Sequence, residues 1–184
     1  AIDDKEIKAV FFARGGYGSV RIIDMVDFSP LKKNPKWLIG YSDVTVILNH
    51  VYFKHSVATL HAIMPVNIKK EIYFSSAIES LFSLLFGQTF SFNSTSDFAQ
   101  KDCKVKGRVI GGNLSVLYSM LGSESFGQTD DLILLIEDLD EYLYHIDRMI
   151  QNLRLGGVFE QISGLVVGQF TEIDEDNSFS GGAY

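Results

Sequence analysis

Two successive units of apolar run, loop and helix-like segment open the chain, and they constrain its fold more than any other feature. Lys8 to Ala13 reads Lys-Ala-Val-Phe-Phe-Ala, a short apolar stretch with charge before it and glycines after it, which suits a buried strand of a parallel sheet. The loop Arg14-Gly15-Gly16-Tyr17-Gly18-Ser19 follows. Val20, Ile22, Ile23, Val26 and Phe28 then fall at roughly helical spacing, ending at Ser29-Pro30, where proline stops a helix. The second unit repeats the order, with a strand over Lys36 to Gly40 and a helix over Asp43 to Lys54. Its Val44, Ile47, Leu48, Val51 and Tyr52 share one face. Two such units predict a parallel α/β sheet whose loops gather at the carboxyl ends of its strands.

Beyond them, Val57 to Met64 reads as a third strand and Ser75 to Phe86 as a short amphipathic helix. Gly87 to Asp102 turns to Phe, Ser, Thr, Asn and Gln without strong periodicity, which marks a crossover over 88–102 between an amino-terminal part (1–87) and a carboxyl-terminal part (103–184). In the latter, Lys104 to Ile110 alternates like a strand, and Gly111-Gly112-Asn113 turns into an apolar helix ending near Gly122. Leu132 to Ile136 reads as a strand, Tyr144 to Leu153 as a helix and Ile162 to Phe170 as a further strand.

Composition narrows the function classes. With 184 residues and 46% hydrophobic content the chain can bury a core, and a net charge of −7 argues against binding nucleic acid, which needs clustered Lys and Arg. The short group Lys32, Lys33 and Lys36 does not overturn that. A single cysteine, Cys103, rules out an internal disulfide and a Cys-rich metal site. No apolar run approaches bilayer length, and the charged start Asp3-Asp4-Lys5-Glu6 does not resemble a signal peptide, so a cytoplasmic location is expected.

Ser42, in Gly40-Tyr41-Ser42-Asp43, lies where a strand turns into a helix. A serine on such a turn is held clear of its neighbours, and the amides opening the helix can stabilise an oxyanion. A small residue two positions on is usual, and here it is Val44. By spacing alone, a serine that caps the helix with Asp43 in its first turn is the commoner explanation. The loop from Arg14 to Ser19 matches neither G-x-G-x-x-G nor a P-loop; it can donate an amide to an oxyanion or serve as a tight turn. Glu137-Asp138 follows the strand Leu132 to Ile136, with Asp140, Glu141 and Asp147 close by; these can orient a histidine or form a solvated acidic loop. His50 and His55 suit packing or solvent-facing roles, and no local context marks any of His50, His55, His61 or His145 as a general base.

Four ordered stretches together resemble one family. They are Ala13 to Ser19, Asn34-Pro35-Lys36-Trp37-Leu38-Ile39-Gly40-Tyr41-Ser42-Asp43-Val44-Thr45, Leu135-Ile136-Glu137-Asp138, and Tyr144-His145-Ile146-Asp147-Arg148-Met149. With Gly111-Gly112-Asn113-Leu114 and the Gly164 to Gly168 strand, they resemble the LD-carboxypeptidase family of serine peptidases, which includes the microcin-immunity peptidases. The resemblance implies an amino-terminal α/β domain carrying the nucleophile, and a smaller mixed α/β carboxyl-terminal domain carrying a glutamate and a histidine. The active site would lie between them. It implies Ser42 as nucleophile and Glu137 as the acid that orients the histidine, with Glu141 a rival. The amide of Asp43 and that of Gly16 or Gly15, with Gly16 preferred, form the oxyanion hole. The implied substrate is a murein tetrapeptide losing its terminal D-alanine in cell-wall recycling, through an acyl-enzyme and without metal or cofactor. A homodimer is implied for the full-length protein, with no nucleic-acid or membrane partner.

In that family the catalytic histidine comes late, in a glycine-rich segment, whereas this chain closes at Gly181-Gly182-Ala183-Tyr184. Its start is equally close to the first strand. The expectation is a chain trimmed at both ends, with the histidine beyond Tyr184, little or no activity alone, and a tendency to associate through uncovered apolar faces. Should it turn over substrate alone, His61 is the first candidate for the base. Two further readings stand beside the murein peptidase: an immunity peptidase acting on a peptide-nucleotide antibiotic, and an inactive module that binds D-amino-acid peptides.

Overall fold

A computed structural model of the chain describes residues 1–68, 76–92 and 104–174. Its first sheet is parallel and three-stranded, in the order β1 (Ala9–Phe11), β2 (Trp37–Gly40), β3 (Leu60–His61). Apolar β2 is the central strand, with Leu38, Ile39 and Gly40 buried. Its register pairs Phe11 with Ile39 on one side and Gly40 with His61 on the other. The carboxyl end of β2 therefore lies beside His61, two residues before Ser42.

The segment after the glycine loop differs from the single helix expected. It breaks into a four-residue helix, α1 (Ser19–Ile22), and two 3₁₀ turns, Ile23–Met25 and Ser29–Lys32. Between the turns Val26 is extended, so the chain bends and buries Ile23, Phe28 and Leu31 from different directions.

Following a 3₁₀ turn at Ser42–Val44, the second helix, α2 (Thr45–His55), is buried at every position from Thr45 to Val51. An amphipathic helix exposes one face, but α2 has a sheet on either side: it packs on β2 and β3, and on β4 (Arg108–Asn113) with its following helix α4 (Leu114–Met120). Between β3 and β4, α3 (Ser76–Leu85) adds Leu81 to a small cluster with Ile39 and Leu60.

The second sheet, β4, β5 (Leu132–Leu139) and β6 (Gly164–Thr171), is also parallel, with β5 central. Here two strands run further toward their carboxyl ends than expected. β4 continues through Gly111 and Gly112 at φ 126° and 132° instead of turning there, because a Cβ at Gly111 would lie 1.9 Å from the Leu135 carbonyl oxygen. β5 carries Glu137 and Asp138 inside the ladder, and its pairing with β6 shifts register between Ile136 and Asp138. The helices α5 (Leu143–Leu155) and α6 (Val158–Gln161) complete this half, and one cluster of buried residues, including Leu38, Val46, Val51, Ile110, Leu114, Leu134 and Met149, runs through both sheets. Among the described residues, no helix is long and apolar enough to cross a membrane.

Candidate active site

Ser42 has φ 60°, the left-handed region that non-glycine residues enter at a cost of about 1–3 kcal/mol and that concentrates at functional sites. The strain is enforced from both sides. A Cβ on Gly15 would stand 2.9 Å from both Cβ and Oγ of Ser42, so only glycine lets that backbone approach the hydroxyl. Likewise a Cβ on Gly40 would stand 2.9 Å from Val44 Cγ1, so the glycine before the turn accommodates the bulky residue after it. Neither the turn nor α2 receives a side-chain cap, so Ser42 is not a capping serine. Its hydroxyl has no hydrogen-bond partner among the described residues.

Asp43 reaches back to the end of the glycine loop. Its carboxylate accepts from the backbone N–H (3.0 Å) and the hydroxyl (2.8 Å) of Ser19, tying the glycine loop to the serine turn. The loop is pinned again by the Val66 N–H, which donates to the Ala13 carbonyl at 3.1 Å. Gly16, Ser42 and Asp43 line a cleft of about 350 Å³ whose opposite wall includes Asn113, Ser115 and Asp138.

That opposite wall is a preorganised polar cluster. Buried Asp138 accepts from Asn113 Nδ2 (2.7 Å), the Ser115 N–H (2.9 Å) and the Leu139 N–H (2.9 Å). Asn113 Oδ1 in turn accepts from the Val116 N–H, capping α4. Burial pushes the Asp138 carboxyl above its ordinary value, against the pull of those three donors. Sequence reading takes Asp138 as one of several carboxylates that can orient a histidine, whereas its oxygens are held by this cluster; it gives Asn113 no role, and the available signal was an Asn directly before an apolar helix, the position of a cap.

Glu137, the residue before Asp138 on β5, does not line the cleft with it. Alternation turns it to the other face of the sheet, where its Oε1 lies 3.7 Å from Nε2 of His61. Burial, followed by the nearby Asp138 carboxylate, raises Glu137 to about 7, and burial lowers His61 to about 4. At neutral pH the contact is therefore a neutral imidazole facing a carboxyl group poised near its midpoint, and not a full ion pair. Glu141 is elsewhere, its carboxylate 2.6 Å from His145 Nδ1. His50 is a packing residue, with its Nδ1 2.8 Å from the Ser125 hydroxyl and its ring against Phe28 and His55.

The two walls are joined through α2. Thr45 Oγ1 accepts from the Asn113 N–H (3.2 Å); Asn49 donates to the Gly111 carbonyl (2.9 Å) and accepts from the Gly111 N–H (3.2 Å), as a neighbouring strand would. The helix that begins behind Ser42 is thus hydrogen-bonded to the strand that pairs with Glu137. No group of three or more His, Cys, Asp or Glu side chains suited to a metal ion occurs among the described residues.

Comparison with known proteins places this arrangement. Residues 1–62 match the LD-carboxypeptidase N-terminal domain and residues 106–183 the LD-carboxypeptidase C-terminal domain, in that order. The chain belongs to the LD-carboxypeptidase family. A Bacillus subtilis protein named as a probable murein peptide carboxypeptidase is 34% identical over 174 residues, covering 91% of this chain and 53% of the relative. The microcin C7 self-immunity protein MccF of Escherichia coli is 27% identical over 199 residues, covering 92% of this chain and 58% of the relative. The crystal structure of muramoyltetrapeptide carboxypeptidase from Oxalobacter formigenes superposes with a TM-score of 0.82 at 26% identity, over 99% of this chain and 63% of that one. MccF in complex with glutamyl sulfamoyl guanosine shares the fold, with a TM-score of 0.80 at 22% identity over the same shares of each chain. The chain thus spans little more than half the length of the curated relatives it matches.

Proposed function

We propose that this chain is the nucleophile- and acid-bearing part of a serine-type LD-carboxypeptidase, a hydrolase that releases the terminal D-alanine of murein tetrapeptides in cell-wall recycling. The observation that carries the reading is Ser42 at φ 60° on the turn between β2 and α2, with the Gly15 backbone against its hydroxyl. Ser42 Oγ attacks the carbonyl of the L-D bond, and the oxyanion is held by the amides of Asp43 and of Gly16 or Gly15. A histidine takes the serine proton and returns it to the leaving amine; water then hydrolyses the acyl-enzyme to leave a tripeptide. Glu137 orients that histidine. Glu137, a desolvated carboxyl that makes no side-chain hydrogen bond among the described residues, is preferred over Glu141, whose carboxylate is occupied by His145. The chain spans little more than half the length of its curated relatives, and the histidine is assigned to the part of the family's length that it does not span, so the 184-residue chain alone is expected to turn over little or no substrate.

The test is D-alanine release from a murein tetrapeptide by the full-length protein and its Ser42→Ala variant. Expected are turnover by the parent and substrate binding without turnover by the variant. Retained turnover would overturn the assignment of Ser42 and move it to Ser19 or elsewhere. Because a relative is an immunity protein, an acyl-sulfamoyl adenylate belongs in the same assay; preference for it over the tetrapeptide would replace the murein reading with the immunity one.

A further inference from the structure

The structure places one histidine against Glu137, and the mechanism above does not use it. His61 ends β3, opposite Gly40 in the ladder, and Glu137 lies near the end of β5, opposite Asn113, so the two side chains reach each other from different sheets. The His61 ring is confined. The Tyr41 ring stands edge-on to it at 6.3 Å, and its Nδ1 lies 3.1 Å from where a Cβ on Gly112 would be, which leaves Nε2 turned toward Glu137. Glu137 is equally constrained: the shift in register between Ile136 and Asp138 falls at its position, a local irregularity of the kind that re-aims a side chain. Its Oε1 is buried with no hydrogen-bond partner among the described residues.

A buried carboxyl oxygen without a donor is costly, and among the described residues His61 Nε2 faces it at 3.7 Å. That is longer than a hydrogen bond, but hydrogen bonds at catalytic groups tighten when the reacting complex forms. We propose that His61 is a positioning residue of the reaction: as a neutral imidazole with its proton on Nε2 it donates to Oε1 of Glu137. This fixes the rotation of the carboxyl group and leaves Oε2 for the histidine that activates Ser42. The proposal rests on Glu137 being the acid of a serine peptidase. It also takes His61 out of contention as the base, since Nε2 holds its proton toward the carboxyl and Nδ1, which keeps the lone pair, is packed against Gly112.

The experiment uses the full-length protein with His61→Leu and His61→Gln, alone and combined with Glu137→Gln, after circular dichroism has shown each folded. With murein tetrapeptide as substrate, His61→Leu is expected to lose roughly 10- to 100-fold in kcat, with KM within about twofold, as outer-shell partners of catalytic groups typically do. His61→Gln, which restores a donor, is expected to recover about tenfold of that loss. In the Glu137→Gln background, the change from His61 to Leu is expected to cost no more than about twofold. A kcat for His61→Leu within about twofold of the parent, a loss that Gln does not recover, or an equal loss with and without Glu137 would each overturn the proposal. Absence of turnover in the unsubstituted protein on any L-D peptide would instead overturn the peptidase reading.

Discussion

Ser42 and Glu137 both sit near the carboxyl end of a parallel strand, yet Ser42 is held by backbone and Glu137 by its surroundings. Around Ser42 the constraints are steric: a left-handed φ, the Gly15 backbone against its side chain, and Val44 folded over Gly40. Around Glu137 they are electrostatic: a desolvated carboxyl, a like charge at Asp138 and one imidazole at 3.7 Å. A nucleophile needs a fixed position more than a tuned charge, and an orienting acid needs the reverse. Substitutions at the first site should therefore act the same at every pH, and those at the second should depend on pH.

The largest effect expected is at Ser42. Ser42→Ala and Ser42→Gly should each lower kcat by about 10⁴-fold or more in D-alanine release. Their stabilities should differ, because alanine keeps the Cβ that opposes φ 60° and glycine does not. In urea unfolding Ser42→Gly should exceed Ser42→Ala by about 1 kcal/mol, the cost of a left-handed residue. Equal stabilities would mean that the turn relaxes when the hydroxyl is gone.

Next is the seam between the halves. Gly111→Ala puts a Cβ 1.9 Å from the Leu135 carbonyl oxygen, so β4 must part from β5. A loss of about 3 kcal/mol or more in urea unfolding is expected, which is the range of severe backbone conflicts. Asn49→Ala removes the side chain that pairs with both backbone groups of Gly111 and leaves them buried and unsatisfied. The expected cost is about 2–3 kcal/mol, and Asn49→Asp, which cannot donate, should recover little of it. A loss below about 0.5 kcal/mol for Asn49→Ala would show that β4 holds its place without the helix.

How much of this was legible in the sequence follows the same division. The parallel units, the turn at Ser42 and the approximate strands could be read because apolar runs and glycine positions are local signals. The burial of α2 all round could not, because it arises from a second sheet contributed by residues more than fifty positions later. Thr45 and Asn49 fall outside the apolar face that the spacing defines, and His50 suited either packing or solvent; all three are buried, against β4 and Ser125. Gly111-Gly112 read as a turn because positive φ is what glycine most often supplies, and nothing local shows that Leu135 needs the space. The strand end at Ile136 was set too early because polar residues usually leave a ladder, whereas Asp138 stays in one by accepting three hydrogen bonds. The contact of His61 with Glu137 spans two sheets and leaves no sequence pattern.

The smallest effect separates the two kinds of constraint by pH alone. The Glu137 carboxyl in the folded protein is raised to about 7 from an ordinary 4.5. Between those values the unfolded chain has lost its proton and the folded one still binds it, so stability falls as pH rises through this window and is constant above it. Glu137→Gln has no charge to bury. It should match the parent at pH 4 and exceed it at pH 8 by about 2 kcal/mol, the shift in free-energy units reduced for the part of the side chain that meets water. His61 runs the other way: lowered to about 4 from 6.5, it contributes stability that is present above 6.5 and lost as pH falls toward 4. His61→Gln should therefore gain on the parent at pH 4 and not at pH 8. Melting temperatures of the three proteins at the two pH values check both signs, and curves that stay parallel would mean that Glu137 and His61 are as well solvated folded as unfolded.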